Sequence, residues 1–540
     1  MDLIQFYKKE NEAPDLVPAI MVVAASIAQG LLLAVIIQAA SMVAPGNLNF
    51  QYLLKYMFLF IIFMYGKTYA LRRTSAVISR LIEKVKLRIT DKIRQTSLLD
   101  IERMGNERIY SQLTNDTGQI TESALLIMNS FQSCMMVCIC AIYILFISQL
   151  AFLISIVSFV FVFVLYIFVF RKSYDEELDK TFQKDLSTME MLNQILLGFK
   201  ELKLNQAMSD DHFQHYQKVL EDTRWLKTKT GYKYVVHIMF SQVFYYAFFA
   251  IILFVLPAVS GATSNDVIKI IATGMFIMSP FNMFVGTIPL YIKSSKAIDN
   301  VYRLEKELDN HIKTGPTASD LGLRKIHSFK TIELKDLNFS HRDINGSALF
   351  TVGSINLKIN AGELIFIAGG NGSGKTTLMK LLCGLYEPDS GSIILDGNSL
   401  EDATYPLYCD LFSVIMSDFY LFDRLYGIEK PDKSLIKLLL KQMKLDKKTD
   451  VIDSCFTNTH LSTGQRKRLA LVTAILQDKP IYIFDEWAAD QDSTFRDFYY
   501  KTLLRELTNS GKTIIAVSHD DRYYHVADRV IKMEFGQFIS

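Results

Sequence analysis

Apolar residues run in long blocks over the first 292 positions and in short bursts after that. Blocks at about 17–44, 50–71, 124–149, 150–171, 234–260 and 266–292 reach the roughly 17–25 residues a helix needs to cross a bilayer. The third and fourth are split only around Ser148-Gln149, which predicts a very tight turn at one membrane face. Read as one segment, 137–171 is too long for a single crossing. Lys55 and Lys67 interrupt the second block, but lysines near helix ends reach back to the interface, so the span stands.

Orientation follows from the basic residues. Arg72, Arg73, Arg80, Lys84, Lys86, Arg88, Lys92 and Arg94 fill the polar stretch between the second and third blocks, and 171–233 is similarly basic. The connections at 41–49, 148–149 and 261–266 contain no Lys or Arg. Basic loops stay on the cytosolic side, so six crossings leave both termini and both long connections in the cytosol. Within those connections, 98–114 and 196–206 set apolar residues beside charge, as lever arms touching a second domain would; a solvated helical hairpin is the plainer reading. The pattern predicts an all-α membrane domain over 1–305 and a polar linker over 306–327. From 328 to 540, short β-rich runs alternate with helices, the signature of an α/β domain with a parallel sheet.

Composition changes this picture little. Of 540 residues half are hydrophobic and 21% charged, and the net charge of +2 supplies no global field for nucleic acid. The start is polar and the apolar block that follows is too long for a signal core, so that block is expected to stay in the protein. Cys134 and Cys138 share a helix face and could hold a soft metal, although packing of small apolar residues explains them as well; no disulfide framework is implied.

The chemistry sits in the second domain. Gly369-Gly370-Asn371-Gly372-Ser373-Gly374-Lys375-Thr376 fits the phosphate-loop pattern, follows the apolar strand 364–367 and opens a helix expected over 377–385. Glycines let backbone N–H groups wrap phosphates, the helix N-terminus adds positive potential, Lys375 reaches the β/γ oxygens, and Thr376 offers a hydroxyl to Mg²⁺. About 110 residues on, the apolar run 481–484 delivers Asp485-Glu486 at its end. A buried strand ending in carboxylates is where α/β ligands bind. Asp485 would hold Mg²⁺ through its water shell, and Glu486 would act as general base towards the attacking water. Between them Leu461-Ser462-Thr463-Gly464-Gln465 leads into a helix over 466–476, which suits either an anion site or an ordinary cap.

Taken in order, the phosphate loop, LSTGQ and strand-Asp-Glu resemble the ATP-binding cassette family, and six preceding spans with long arms resemble its exporter branch. The resemblance implies a half-transporter working as a homodimer, with ATP sealed between Gly369–Thr377 of one subunit (Thr377 included) and Ser462, Gly464 and Gln465 of the other. It assigns Asp492 to the loop that signals across that dimer and His519 to the γ-phosphate contact. Gly369-Gly370-Asn371, 485–492 and 518–523 look most like bacterial exporters of cyclic and siderophore-type peptides. Three positions depart from the family pattern. Thr463 stands where glycine is usual; His341 stands where a tyrosine stacks on adenine; Ser417, with Asp418 beside it, occupies the place of the glutamine that contacts Mg²⁺. The expected activity is ATP-driven export of a small modified peptide across the bacterial inner membrane by alternating access. A lipid flippase or multidrug exporter of the same architecture, a membrane-anchored regulatory ATPase and an importer are the alternatives. Gln29, Gln38, Asn129, Gln132, Gln242, Tyr245, Tyr246 and Asn282 are uncharged polar groups for a cargo chamber, although each also suits a neighbouring helix.

Overall fold

In the computed structural model, which describes residues 3–10, 17–41, 50–165, 172–260, 263–312, 326–343, 346–401, 404–428 and 431–539, the apolar blocks are helices. The chain divides into two compact units, Met1–Lys92 with Asn106–Glu307, and Ile93–Gly105 with Leu308–Ser540. Nearly all of the connection at 41–49 (42–49), the end of the fourth block at 166–171 and most of the linker (313–325) lie outside the described residues.

The first unit begins with α1 (Leu3–Glu10) and α2 (Val17–Ser41) and continues into α3 (Phe50–Gln95). The short α4 (Leu98–Met104) belongs to the second unit; α5 (Asn106–Ser111) returns the chain to the first. A π-helical turn at Gln112–Asp116 then leads into α6 (Thr117–Ile147). Ser148 is the one extended residue between α6 and α7 (Gln149–Leu165), so the chain reverses within a single backbone break. Next come α8 (Lys172–Leu197), α9 (Phe199–Leu204), α10 (Gln206–Ala250), a π turn at Ile251–Val255, α11 (Leu256–Ser260) and α12 (Ser264–His311). Among the described residues, four helices are long and apolar enough to cross a membrane: Val17–Ala40, Phe50–Gln95, Asn106–Ile147 and Ser264–His311. Gln149–Ser158 and Tyr245–Ser260 are shorter apolar stretches.

Helices that are apolar all round bury one side on each other and leave the rest for lipid. Leu33, Met136, Cys140, Ile144, Phe248, Ile252 and Ile277 form the buried seam, while Phe58, Phe146 and Phe254 point outward. Cys134 and Cys138 are exposed on the helix that buries Cys140. Three of the candidate chamber groups bond to neighbouring helices: Gln132 Nε2 donates to Gln29 Oε1 at 3.4 Å, and the Tyr245 hydroxyl to Ile277 O at 3.3 Å. The polar extensions α8 and α10 pair through Lys184–Asp222, Lys227–Asp185 and Lys229–Glu177. A second ionic knot ties α1 to α3 and α12. Arg88 donates to both Glu10 oxygens (2.7 and 2.8 Å) and to Glu305, Lys92 adds to Glu305, and the Tyr302 hydroxyl meets Glu10.

The second unit has a six-stranded sheet and a four-stranded one. β1 (Thr331–Arg342), β2 (Ala348–Asn360), β4 (Ser390–Leu395) and β5 (Asn398–Ser399) form an antiparallel sheet in the order β2-β1-β4-β5. The larger sheet runs β12-β11-β3-β10-β9-β6, from β3 (Leu364–Ala368), β6 (Phe412–Ile415), β9 (Ile481–Asp485), β10 (Thr513–Val517), β11 (Arg529–Glu534) and β12 (Gln537–Ile539). Every pairing in it is parallel except β11 with β12. Burial on both faces is why β3, β9 and β10 read as unbroken apolar runs. β7 (Val451–Ile452) and β8 (Cys455–Phe456) make a small hairpin. The helices are α13 (Lys375–Leu382), α14 (Tyr405–Cys409), α15 (Lys433–Gln442), α16 (Thr463–Leu476), α17 (Ser493–Phe498) and α18 (Leu504–Asn509).

Three helix boundaries differ from the sequence expectation. α13 begins at Lys375 rather than 377, because Gly374 in the left-handed region ends the loop there. It stops at Leu382 rather than 385, where Leu385 N and Tyr386 N both turn back to Lys380 O. α16 starts at Thr463, since Ser462 and Gln465 close a capping box. Residues 93–105, which a single cut at 305 assigns to the membrane domain, join the second unit because Leu98 and Leu99 pack on its core.

Candidate functional site

β3 delivers the chain into the phosphate loop at Gly369, whose φ of +154° no side chain tolerates readily; a Cβ there would sit 2.2 Å from Met533 O. Lys375 is buried, and its Nζ donates to Gly369 O (3.0 Å) and Gly370 O (2.8 Å), folding the loop over itself. Burial lowers its pKa, while the carboxylates of Glu486 and Asp485 pull the other way. Asn371 and Gly372 are exposed at the loop tip, whereas the buried Ser373 hydroxyl has no protein partner.

Thr376 Oγ1 donates to Asp485 Oδ2 at 2.9 Å, so the start of α13 and the end of β9 meet as the motif spacing predicted. Asp485 is 1% exposed and its other oxygen, Oδ1, is buried without a partner. Burial raises its pKa, and the charge of Glu486 beside it adds to that, against the hydrogen bond from Thr376. An orphaned carboxylate oxygen beside a threonine hydroxyl is a donor set that fits a divalent cation with water around it. Ser417, two residues past β6, is near enough to that carboxylate to favour its charged form.

Glu486 follows directly, in the left-handed region at φ +50°, and is partly exposed; His519 Nε2 lies 2.8 Å from its Oε1. These two border a cavity of about 320 Å³ with Ser518, Asp520 and Tyr500. Sequence reasoning missed what holds Glu486 in that strained geometry. Buried Lys467 donates to Glu486 O at 3.0 Å and pairs with Asp490 at 2.7 Å, while Trp487 Nε1 returns a bond to Lys467 O. A lysine five residues beyond a helix cap carries no sequence signal of this kind; only the tertiary fold brings it to the strand end.

Ser462, Gly464 and Gln465 form a different cluster. Ser462 and Gln465 cap α16, Gln491 Nε2 donates to Gly464 O (3.0 Å), and Arg468 bridges Gln491 and Asp492 at 2.7 Å each. Gly464 is required by contact, because a Cβ would lie 2.5 Å from Asp490 O. Asp492 also caps α17 through Phe495 N, the bond that chiefly lowers its pKa. Among the described residues, no hydrogen bond or ion pair joins this cluster to the phosphate loop, and Ser462 and Thr463 are exposed.

His341 closes the other side of the loop. Its Nε2 is 3.2 Å from Thr377 Oγ1, and its ring stands edge-on to Phe339 and Tyr386. Burial holds its pKa down. Tyr386, not anticipated from the sequence, stacks on Phe339 and passes a hydrogen bond of 2.5 Å to Glu102 on α4. Lys380 donates to the same carboxylate at 2.9 Å. Burial pushes the Glu102 carboxyl up, yet the bonds from Tyr386 and Lys380 outweigh it and hold it below the usual range.

The ABC transporter transmembrane region matches residues 15–292, and the ABC transporter domain matches residues 352–489. The chain belongs to the ABC transporter family. It is 32% identical over 475 residues to the ATP-binding protein SyrD of Pseudomonas syringae pv. syringae, covering 85% of this chain and 83% of that one. Over 198 residues it is 33% identical to the probable syringafactin export ATP-binding/permease protein SyfD of the same pathovar, covering 34% of this chain and 30% of SyfD. An ATP-dependent lipid A-core flippase of Ralstonia nicotianae is 32% identical over 224 residues, 38% of this chain and 37% of the flippase. The fold is that of a bacterial Atm1-family ABC exporter solved with ATP bound, at a TM-score of 0.73 over 97% of this chain and 93% of that one, with 14% identity. The resemblance and the fold class read from the motifs are thereby borne out. The chain is an ABC exporter, with a helical membrane region and a P-loop α/β domain, and an ATPase coupled to transport.

Proposed function

We propose that this transporter exports a small cyclic or otherwise modified peptide from the cytosol across the bacterial inner membrane, as a homodimer with two shared ATP sites. The observation that carries the ATPase half is the buried Asp485, with Thr376 on one oxygen and nothing on the other, at the mouth of the phosphate loop. Thr376, Asp485 and Ser417 would hold Mg²⁺, which supplies charge neutralisation at the β/γ oxygens when bound. Lys375, the loop N–H groups and Ser373 cradle the phosphates; Glu486 takes the proton of the attacking water; His519, hydrogen-bonded to it, orients that carboxylate and contacts the γ-phosphate. His341 packs against adenine with an edge-stacked neighbour in Tyr386.

Ser462, Gly464, Gln465 and Asp492 complete the site from the second copy. Their separation from the loop within one chain supports this, since a lone subunit leaves both clusters half built. The tip of the second arm supports it as well. Leu197, Phe199 and Leu204 are 79%, 59% and 89% exposed, an apolar cluster that a second copy of this chain would cover. Six crossings at about 17–44, 50–71, 124–149, 150–171, 234–260 and 266–292 put both termini and the ATPase domain (328–540) in the cytosol. ATP shifts the transporter between its two faces only by binding closed cassettes more tightly than open ones.

The peptide cargo is supported by SyrD, the relative matched over most of this chain, and by the export named for SyfD. The test is ATP-dependent uptake into inverted vesicles of a panel of cyclic peptides, peptide siderophores and lipids. Uptake of a peptide with stimulated ATPase supports the reading. Movement of lipid alone, as the flippase relative would suggest, refutes it, and ATPase activity with no cargo moved would favour a regulatory ATPase.

A further inference from the structure

The first unit holds a polar cavity of about 470 Å³ that uses none of the uncharged groups expected to meet cargo. That volume is within the range of small-molecule sites. Three helical elements line it: the end of the π turn at Gln112–Asp116 with Gln119 beyond it, the middle of α8 at Thr181, Gln183 and Asp185, and α12 from Lys293 to Arg303. Lys293, Lys296, Asn300 and Arg303 are spaced 3, 4 and 3 residues apart, so they form one stripe along a single face of α12. In sequence this stripe begins directly after the last apolar block, and Asp116 lies just before the third, which puts the cavity at the cytosolic mouth of the spans.

The charges in this cavity are unevenly committed. Asp185 is taken by Lys227 at 2.7 Å, and the buried Asp116 accepts from Asn300 at 3.2 Å. Lys293 and Arg303, by contrast, have no ion-pair or hydrogen-bond partner among the described residues. Lys296 and Asp299, also on the lining, are engaged in interactions of their own, so with Lys227 set against Asp185 the lining carries Lys293, Lys296 and Arg303 against Asp116 and Asp299. A π turn is a rare break in a helix that concentrates at functional positions, and here it ends on Asp116, with the Gln112 side-chain oxygen buried and unpartnered. Unpaired cations in a polar cavity beside a hydrogen-bonded Asp–Asn pair make a receptor for an oxyanion. Arg303 offers a planar fork and Lys293 a compact point charge.

We infer that this cavity is where cargo first docks from the cytosol, and that it selects cargo carrying a carboxylate or phosphate headgroup through Lys293 and Arg303. This rests on the export reading, which it deepens by naming the chemical class of what is carried. The headgroup would sit in the cavity with its apolar portion directed towards the spans. Peptide carboxylates and lipid phosphates share this chemistry, and the probes below separate them.

The test is equilibrium binding to the full chain in lipid nanodiscs without nucleotide, so that it reads the cavity and not the ATPase. The probes are N-dodecanoyl-glutamate, dodecyl phosphate, inorganic phosphate and the cationic N-dodecanoyl-lysine methyl ester. Saturable binding of an anionic amphiphile is expected, weakened by about tenfold or more in the Lys293→Gln/Arg303→Gln double variant and retained in Lys293→Arg. Preference for the glutamate probe marks a peptide carboxylate as the natural group; preference for dodecyl phosphate marks a lipid-type phosphate; competition by inorganic phosphate alone marks a free anion. Equal binding of the cationic probe, or anionic binding indifferent to the double variant while the unfolding midpoint is unchanged, overturns the inference. Binding that persists in a protein that transports nothing would leave the cavity standing and remove the export reading.

Discussion

Removing one oxygen atom, in Tyr386→Phe, isolates the contact that fastens α4 to the ATPase unit. The ring is 3% exposed and stacked on Phe339 with centroids 5.1 Å apart, so its packing is unchanged by the substitution. What is lost is a hydrogen bond to the Glu102 carboxylate at 2.5 Å and the bond Lys380 donates to the hydroxyl at 3.1 Å. A charge-assisted bond contributes about 1.5–3 kcal/mol when sequestered. Glu102 keeps 41% of its side chain in solvent and retains Lys380, so water recovers part of that. The net loss is about 1 kcal/mol, roughly a fivefold shift in how often the 98–104 segment opens. Hydrogen exchange of that segment reads it: Tyr386→Phe should speed exchange about fivefold and Glu102→Ala, which removes the Lys380 pair as well, by at least as much, and the double variant should add little to Glu102→Ala, because the bond between the two side chains is lost in either. The sign with pH follows from the depressed Glu102 carboxyl. The contribution is complete above the ordinary carboxylate pKa near 4.5 and is lost as pH falls through the lower value in the folded protein. Strict additivity of the two substitutions, or unchanged exchange at neutral pH in either, would refute the reasoning.

Two other outcomes are expected. Glu486→Gln keeps a hydrogen-bonding group 2.8 Å from His519 but cannot take a proton, so ATP turnover should fall about 10²–10⁴-fold while ATP stays bound and the dimer stays closed; rapid hydrolysis by that variant would remove Glu486 as the base. Arg88→Met takes the cationic partner from the buried Glu10, which keeps its bond from Tyr302, and a partner from Glu305, a loss of about 2–3 kcal/mol given that Arg88 is partly exposed, and exchange over residues 3–10 should accelerate by well over tenfold, an unaltered rate counting against the clamp.

The sequence by itself determined the architecture and the order of the site's parts. Long apolar blocks have no stable form in lipid other than helices that satisfy their own backbone, and a Gly-rich loop between a buried strand and a helix has few folds open to it. Asp485 and Thr376 could be assigned to one place because each stands at a fixed offset from its own strand or helix end. The tertiary structure alone decided which side chains meet across elements. Lys467 under Glu486, Glu102 under Tyr386, Arg88 between Glu10 and Glu305, and Asn300 on Asp116 are all pairings of residues far apart in the chain or on different helices. Periodicity tells which face of a helix a residue occupies, but not which neighbour that face is turned towards. For that reason the uncharged groups Gln132 and Tyr245, plausible chamber residues from their position in a span, turned out to bond to adjacent helices, and the polar cavity formed from charged residues just beyond the spans.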